Sequence, residues 1–201
     1  MTLGIVGCIG RFKPLHLGGQ AMLEALCDQA DRVIIGIGSS NKYNARNQFT
    51  ADESQEMIER SLEDRANYSC IHVPDFAHLP EYADGKRWRQ YVLDNYGPLD
   101  HFVSGNEYVA RLLGEEYDII HPVSLIAPEN RTPLRATDVR IAMATFGDWK
   151  SLVPERVAEY LEEKCLVERF RKEFGLQTLA QLAGEYPADD PAAEMLHAQE
   201  R

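Results

Sequence analysis

The stretch Leu3-Gly4-Ile5-Val6-Gly7-Cys8-Ile9-Gly10-Arg11-Phe12-Lys13-Pro14-Leu15-His16-Leu17-Gly18-Gly19 decides how this chain is read. Leu3–Ile9 is a run of β-formers that stops at Gly10. Arg11 and Lys13 lead into a proline turn, and a helix opens at His16-Leu17-Gly18. Strand, turn and helix in that order begin an α/β unit, whose ligands sit beyond the carboxyl ends of the strands. The first helical turn offers free N–H groups and a positive dipole end to a phosphate. Gly18 and Gly19 leave room for such a ligand to reach the backbone, and Gly10 is assigned with them to the binding turn. The turn lacks Gly-x-Gly-x-x-Gly, which disfavours a dinucleotide oxidoreductase.

Outward from this segment, short β-rich runs alternate with longer amphipathic ones. Strands are expected at Leu3–Ile9, Arg32–Ile37, Tyr68–Val73, His101–Ser104 and Tyr117–Val123. Helices are expected at Leu17–Gln29, Ala51–Arg65, Lys86–Asn95, Asn106–Leu113, Ala136–Ala144 and Glu155–Phe174. The alternation predicts an α/β, Rossmann-like open parallel sheet of about five strands, helices on both faces, and additional C-terminal helices. Thr50-Ala51-Asp52-Glu53 reads as a capping box that starts the second helix, with Met57, Ile58 and Leu62 on one face. In the last helix Val157, Tyr160, Leu161, Cys165 and Val167 are read as a core or subunit face. Gly184–Arg201 reads as an acidic tail that adds little chemistry.

Composition sets the outer bounds. With 44% hydrophobic and 26% charged residues over 201 positions, the chain is an ordinary globular protein of one domain plus a modest extension. No apolar run approaches the roughly 20 residues of a membrane span, and the first residues do not resemble a signal peptide. Neither membrane nor nucleic acid is expected as a partner, because 21 basic against 32 acidic residues give −11. Any polyanion must therefore meet a local cluster of cations. Cys8, Cys27, Cys70 and Cys165 form no Cys-x-x-Cys pair, so reduced, mostly buried thiols in a cytoplasmic protein are expected. The histidines other than His16 show no metal-ligand spacing, and Trp149 reads as packing.

A second segment lies about 120 residues downstream: Arg131-Thr132-Pro133-Leu134-Arg135-Ala136-Thr137-Asp138-Val139-Arg140. Thr137 and Arg140, three apart at a helix start, place a hydroxyl, backbone N–H groups and a guanidinium where one anion could meet all of them. Together the two segments resemble the signature pair of the HxGH nucleotidyltransferase superfamily, GRFxPxHxGH early and S-G/A-T-x-x-R late. The archaeal-type nicotinamide-nucleotide adenylyltransferase family is the nearest match. Gly38-Ser39-Ser40, Arg46, Phe49-Thr50-Ala51, Trp88, Ser104-Gly105-Asn106 and Gly147–Pro154 agree with it in order and spacing. The resemblance spans roughly residues 3–165; the transferase domain is expected at 1–165, with 166–201 a helical extension carrying the acidic tail.

The resemblance implies transfer of AMP from ATP to nicotinamide mononucleotide or a related phosphorylated acceptor, with pyrophosphate released and Mg²⁺ accompanying ATP. It implies that His16, Arg11 and Arg140 are catalytic. Gly10, Gly18, Ser104, Gly105, Asn106, Arg135 and Thr137 would bind ATP, while Ser39, Arg46 and Trp88 would serve the acceptor. No residue is assigned to hold a metal. Family members often form symmetric oligomers, so a homo-oligomer is expected.

This chain departs from the pattern at several positions. The second histidine of HxGH is Gly19, the serine of the late motif is Arg135, and Asp52 and Ser54 stand where the family has Gly and Arg. Lys13 replaces a common glutamine and is read as pointing to solvent. Loss of the second histidine removes a donor and implies reduced turnover, with Arg135 reaching the phosphates as partial compensation. A nucleotide-binding protein without turnover, or a cytidylyltransferase-like enzyme with another acceptor, are the alternatives. Trp88 is open to two readings, stacking on a pyridine ring or packing.

Overall fold

The computed structural model describes residues 2–183, so the expected acidic tail lies outside the described residues. Strands β1 (Ile5–Gly10), β2 (Arg32–Gly38), β3 (Tyr68–Val73), β4 (His101–Val103) and β5 (Asp118–Ile120) form one sheet in the order β3-β2-β1-β4-β5. Every pairing is parallel, with Val6 beside Val33 on one flank and His101 on the other. The expected five-stranded Rossmann-like sheet is therefore present. Its order reverses between β1 and β4, the switch point beyond whose carboxyl ends open α/β sheets place their ligand crevice.

Alternation along the strands divides the interior. Val6, Cys8, Val33, Ile35 and Ile37 point to the face covered by α1 (Leu17–Gln29), α2 (Ala51–Ser61), α5 (Ala136–Ala144), α6 (Glu155–Glu163) and α7 (Leu166–Phe170). Ile34, Val73 and Phe102 point to the other face, under α3 (Lys86–Tyr96) and α4 (Glu107–Leu113). On that side Gly7 and Gly36 have a packing role: a Cβ on either would collide with the Tyr96 ring or hydroxyl. Tyr96 uses that space to donate its buried O–H to the Cys8 carbonyl at 2.8 Å, which removes the penalty of an unpaired polar group.

The capping box forms as read. Thr50 Oγ1 accepts from Glu53 N at 3.1 Å and Glu53 Oε2 accepts from Thr50 N at 2.9 Å. Three expectations need correcting. The strand expected at Tyr117–Val123 is only Asp118–Ile120, because Pro122–Ser124 turns into a short 3₁₀ helix that His121 Nδ1 caps. The helix expected at Glu155–Phe174 breaks after Glu163, where Cys165 takes a left-handed φ of 52°. At about 100° per residue, an unbroken helix would turn Leu166 to the side opposite Val157; the break lets Val157, Leu161, Leu166, Val167 and Phe170 share one core. Cys165 is thereby exposed and Cys70 only half-buried, while Cys8 and Cys27 are buried. A wider π turn at Arg171–Gly175 carries α7 into α8 (Leu176–Leu182).

Candidate active site

Two residues at the strand ends hold left-handed backbone despite having side chains: Phe12 after β1, at φ 52°, and Ser39 after β2, at φ 50°. Such conformations are held in place by the surroundings and gather at functional sites. The Phe12 ring folds back over Gly10, where a Cβ would lie 2.7 Å from it. Gly10 is thus occupied by its own chain on that side. Pro14 and Leu15 then bring His16 to the start of α1.

His16 is the N-cap of α1, its Nδ1 accepting from Gly19 N at 3.2 Å. That bond places the ring proton on Nε2, which can donate. Burial lowers the His16 pKa, Arg140 adds to the shift and Asp138 opposes it, so the ring is neutral at pH 7. The first turn of α1 has no acidic residue, leaving its positive end uncompensated.

The late motif closes on this turn. Thr132 O sits where a Cβ on Gly18 would be 3.1 Å away. Arg140 donates from Nη1 to Lys13 O at 3.1 Å and from Nη2 to Thr137 Oγ1 at 3.0 Å. Burial, followed by the charges of Arg11 and Arg46, brings its pKa down to about 10, with Asp138 opposing. Arg140 thus feels the charges of Arg11 and Arg46, acts on His16 and bonds to Thr137. Arg135 and Thr137 are exposed; Arg135 N donates to Asp138 Oδ2 at 2.7 Å, so its backbone starts α5. Ser104 and Gly105 follow β4 across the crevice, and Asn106 caps α4 with its side chain.

Lys13 corrects the sequence reading. Instead of reaching solvent it is 1% exposed, and its Nζ donates to Ser39 O at 3.0 Å and Asn47 Oδ1 at 3.5 Å. Burial first and Arg11 second bring its pKa from 10.5 down to about 8, with Glu53 working the other way. Burial and the charge of Arg11 make the ammonium costly there, and an anion brought to this side of the sheet would offset part of that cost. Its place within the basic turn was a sequence signal of this role, but its burial was not.

Ser39 and Arg46 lie on the loop after β2, where Ser39 O accepts from Lys13 Nζ and the charge of Arg46 acts on Arg140. Trp88 is half-buried among the residues packed against the α3–α4 side. Trp149 is buried in the main core, as read. Among the described residues no group of three His, Cys, Asp or Glu side chains could hold a metal ion, and no helix is long and apolar enough to cross a membrane.

Fold and geometry define an α/β protein with a group of basic side chains beyond the switch point of a parallel sheet. The chain belongs to the cytidylyltransferase-like family, whose model matches residues 8–173. The nicotinamide-nucleotide adenylyltransferase of Thermococcus kodakarensis is 35% identical over 170 residues, covering 81% of this chain and 85% of that protein. The protein of the same name from Archaeoglobus fulgidus is 30% identical over 166 residues, covering 81% and 93%. The fold is shared with a bifunctional NMN adenylyltransferase/ADP-ribose pyrophosphatase from Francisella tularensis, crystallised with AMP and a manganese ion. The TM-score is 0.66 at 19% identity, over 92% of this chain and 57% of that one, so this chain spans little more than half of the bifunctional protein.

Proposed function

We propose that this protein transfers AMP from ATP to nicotinamide mononucleotide, releasing pyrophosphate. The observation that carries the reading is the set of groups around Arg140: burial and the charges of Arg11 and Arg46 depress it, it donates to the Lys13 carbonyl and to Thr137, and its charge in turn helps to keep His16 neutral. That arrangement suits a triphosphate, and the relatives' names supply the acceptor.

In this reading a phosphate oxygen of the acceptor attacks the α-phosphorus of ATP. The bond from Pα to the bridging oxygen of the β-phosphate breaks, and its electron pair leaves with pyrophosphate. The residues supply position and charge. His16 Nε2–H and the N-terminus of α1 donate to phosphate oxygens, while Arg140 and Arg11 offset the charge that grows on the leaving group. Arg46 serves the acceptor phosphate. In this reading a divalent ion, Mg²⁺, accompanies ATP and would supply further positive charge at the phosphates. A cytoplasmic homo-oligomer remains the expected setting.

The test is pyrophosphate release from ATP and Mg²⁺, with and without nicotinamide mononucleotide, beside calorimetric titration of ATP. Release that depends on the acceptor supports the proposal. ATP binding without release on any nucleotide acceptor would mean a binding protein, and neither binding nor release would leave the fold alone as the shared property.

A further inference from the structure

The loop from Ser39 to Thr50, between β2 and α2, carries Ser39 and Arg46 toward the cation cluster. It is held from two directions. On the inner side Lys13 binds Ser39 O and Asn47, while Asn44 Oδ1 accepts from Arg46 N and Asn47 Nδ2, each at 3.0 Å.

On the outer side it is held by a residue more than a hundred positions away. Arg169, on α7, pairs its two terminal nitrogens with the two carboxylate oxygens of Glu53, Nη2 to Oε2 at 2.7 Å. Nη2 also donates to Gln48 O at 3.3 Å. The guanidinium lies 5.6 Å from the Tyr43 ring. Tyr43 in turn packs edge-on against Phe174 at 5.2 Å and bonds through its hydroxyl to Glu173. Phe170 stacks on Phe49 at 6.4 Å. Glu53 is the residue whose other bond caps α2, so Arg169 grips the loop at the point where it becomes a helix.

We propose that Arg169 is a positioning residue for the acceptor, acting through Glu53 and the Gln48 carbonyl to hold the loop that presents Arg46. The C-terminal helix then belongs to the acceptor side of the site. A planar, two-pronged guanidinium on a carboxylate fixes direction as well as distance, which a flexible contact would not. Arg11 follows β1, His16 caps α1 and Arg140 stands on α5, none of them on the loop that Arg169 grips, so loss of the latch should separate acceptor from ATP. The proposal rests on the transferase reading for its kinetic consequence but not for its mechanical one.

The experiment compares wild type with Arg169→Ala and Arg169→Lys in the full chain. Three quantities are read: the nicotinamide mononucleotide KM and kcat from pyrophosphate release, the ATP Kd by calorimetry, and the rate of tryptic cleavage after Lys42 and Arg46. In Arg169→Ala the acceptor KM should rise tenfold or more and loop cleavage should speed up by a similar factor, with ATP Kd within twofold of wild type. Arg169→Lys, which keeps the charge but loses the two-pronged bond, should fall between them. An unchanged cleavage rate in both variants overturns the latch. Faster cleavage with an unchanged acceptor KM overturns the positioning role, as does a loss of ATP affinity equal to the loss in acceptor KM. If wild type releases no pyrophosphate with this acceptor, the transferase reading fails, and the cleavage rates still decide whether Arg169 holds the loop.

Discussion

Lys13 offers a direct test of the buried cation cluster through the pH dependence of stability. Its pKa falls from 10.5 in the free chain to about 8 in the fold. Between these values the unfolded chain binds more protons at this position than the folded one, so this contribution makes stability rise with pH. Below about pH 8 the charged form is present in both states and the fold carries the full cost, on the order of 3 kcal/mol at 1.36 kcal/mol per unit. About 2 kcal/mol of that is recovered between roughly pH 7.5 and 9.5. Other groups act in the opposite direction: burial raises Cys70, Tyr43 and Tyr68 to about 12, and these destabilise the fold once their unfolded counterparts ionise. The wild-type curve alone is therefore a sum of opposed terms. The difference between wild type and Lys13→Met isolates the lysine, because the other terms are common to both. The variant also leaves Ser39 O and Asn47 Oδ1 without the ammonium, a cost independent of pH that shifts its curve without tilting it. Urea unfolding of both proteins at half-unit steps from pH 7 to 10 should show the gap opening in favour of wild type by about 2 kcal/mol. Parallel curves would refute the buried, depressed lysine.

Arg140→Ala removes the bonds to Lys13 O and Thr137 together with the guanidinium offered to phosphate; ATP Kd by calorimetry should rise by about 10- to 100-fold, from about 1.5–3 kcal/mol for charged hydrogen bonds. Gly19→His restores the side chain at the departure from the family pattern and should raise pyrophosphate release by about 10²-fold. Its Cβ would sit 3.0 Å from Leu15 Cδ1 in the core, so a stability loss of about 1 kcal/mol should accompany the gain. An unchanged rate with unchanged ATP binding would count against a missing donor.

Much of the fold was legible because its causes are local. Alternating apolar runs place the strands, and Thr50 with Glu53 starts α2 three residues apart. The pair of basic motifs announces the site because each one is compact: a turn and helix start in one case, hydroxyl and guanidinium on the same helical turn in the other. The break at Cys165 was less legible. Helical periodicity in Glu155–Phe174 is tolerable from end to end, and only the location of the core reveals that Leu166 must turn the other way.

The sequence by itself determined the strand and helix alternation, the capping of α2, and the residue types of the two basic motifs. Tertiary structure decided which of these share an environment. Lys13 reads as an exposed cation until the loop after β2 folds onto its ammonium, and its pKa is a property of that enclosure. Arg169 carries no local sign of its part because Glu53 and Gln48 are more than a hundred residues away. Hydrogen bonds within a turn are written into a few neighbouring letters, whereas burial and charge repulsion depend on how distant segments meet.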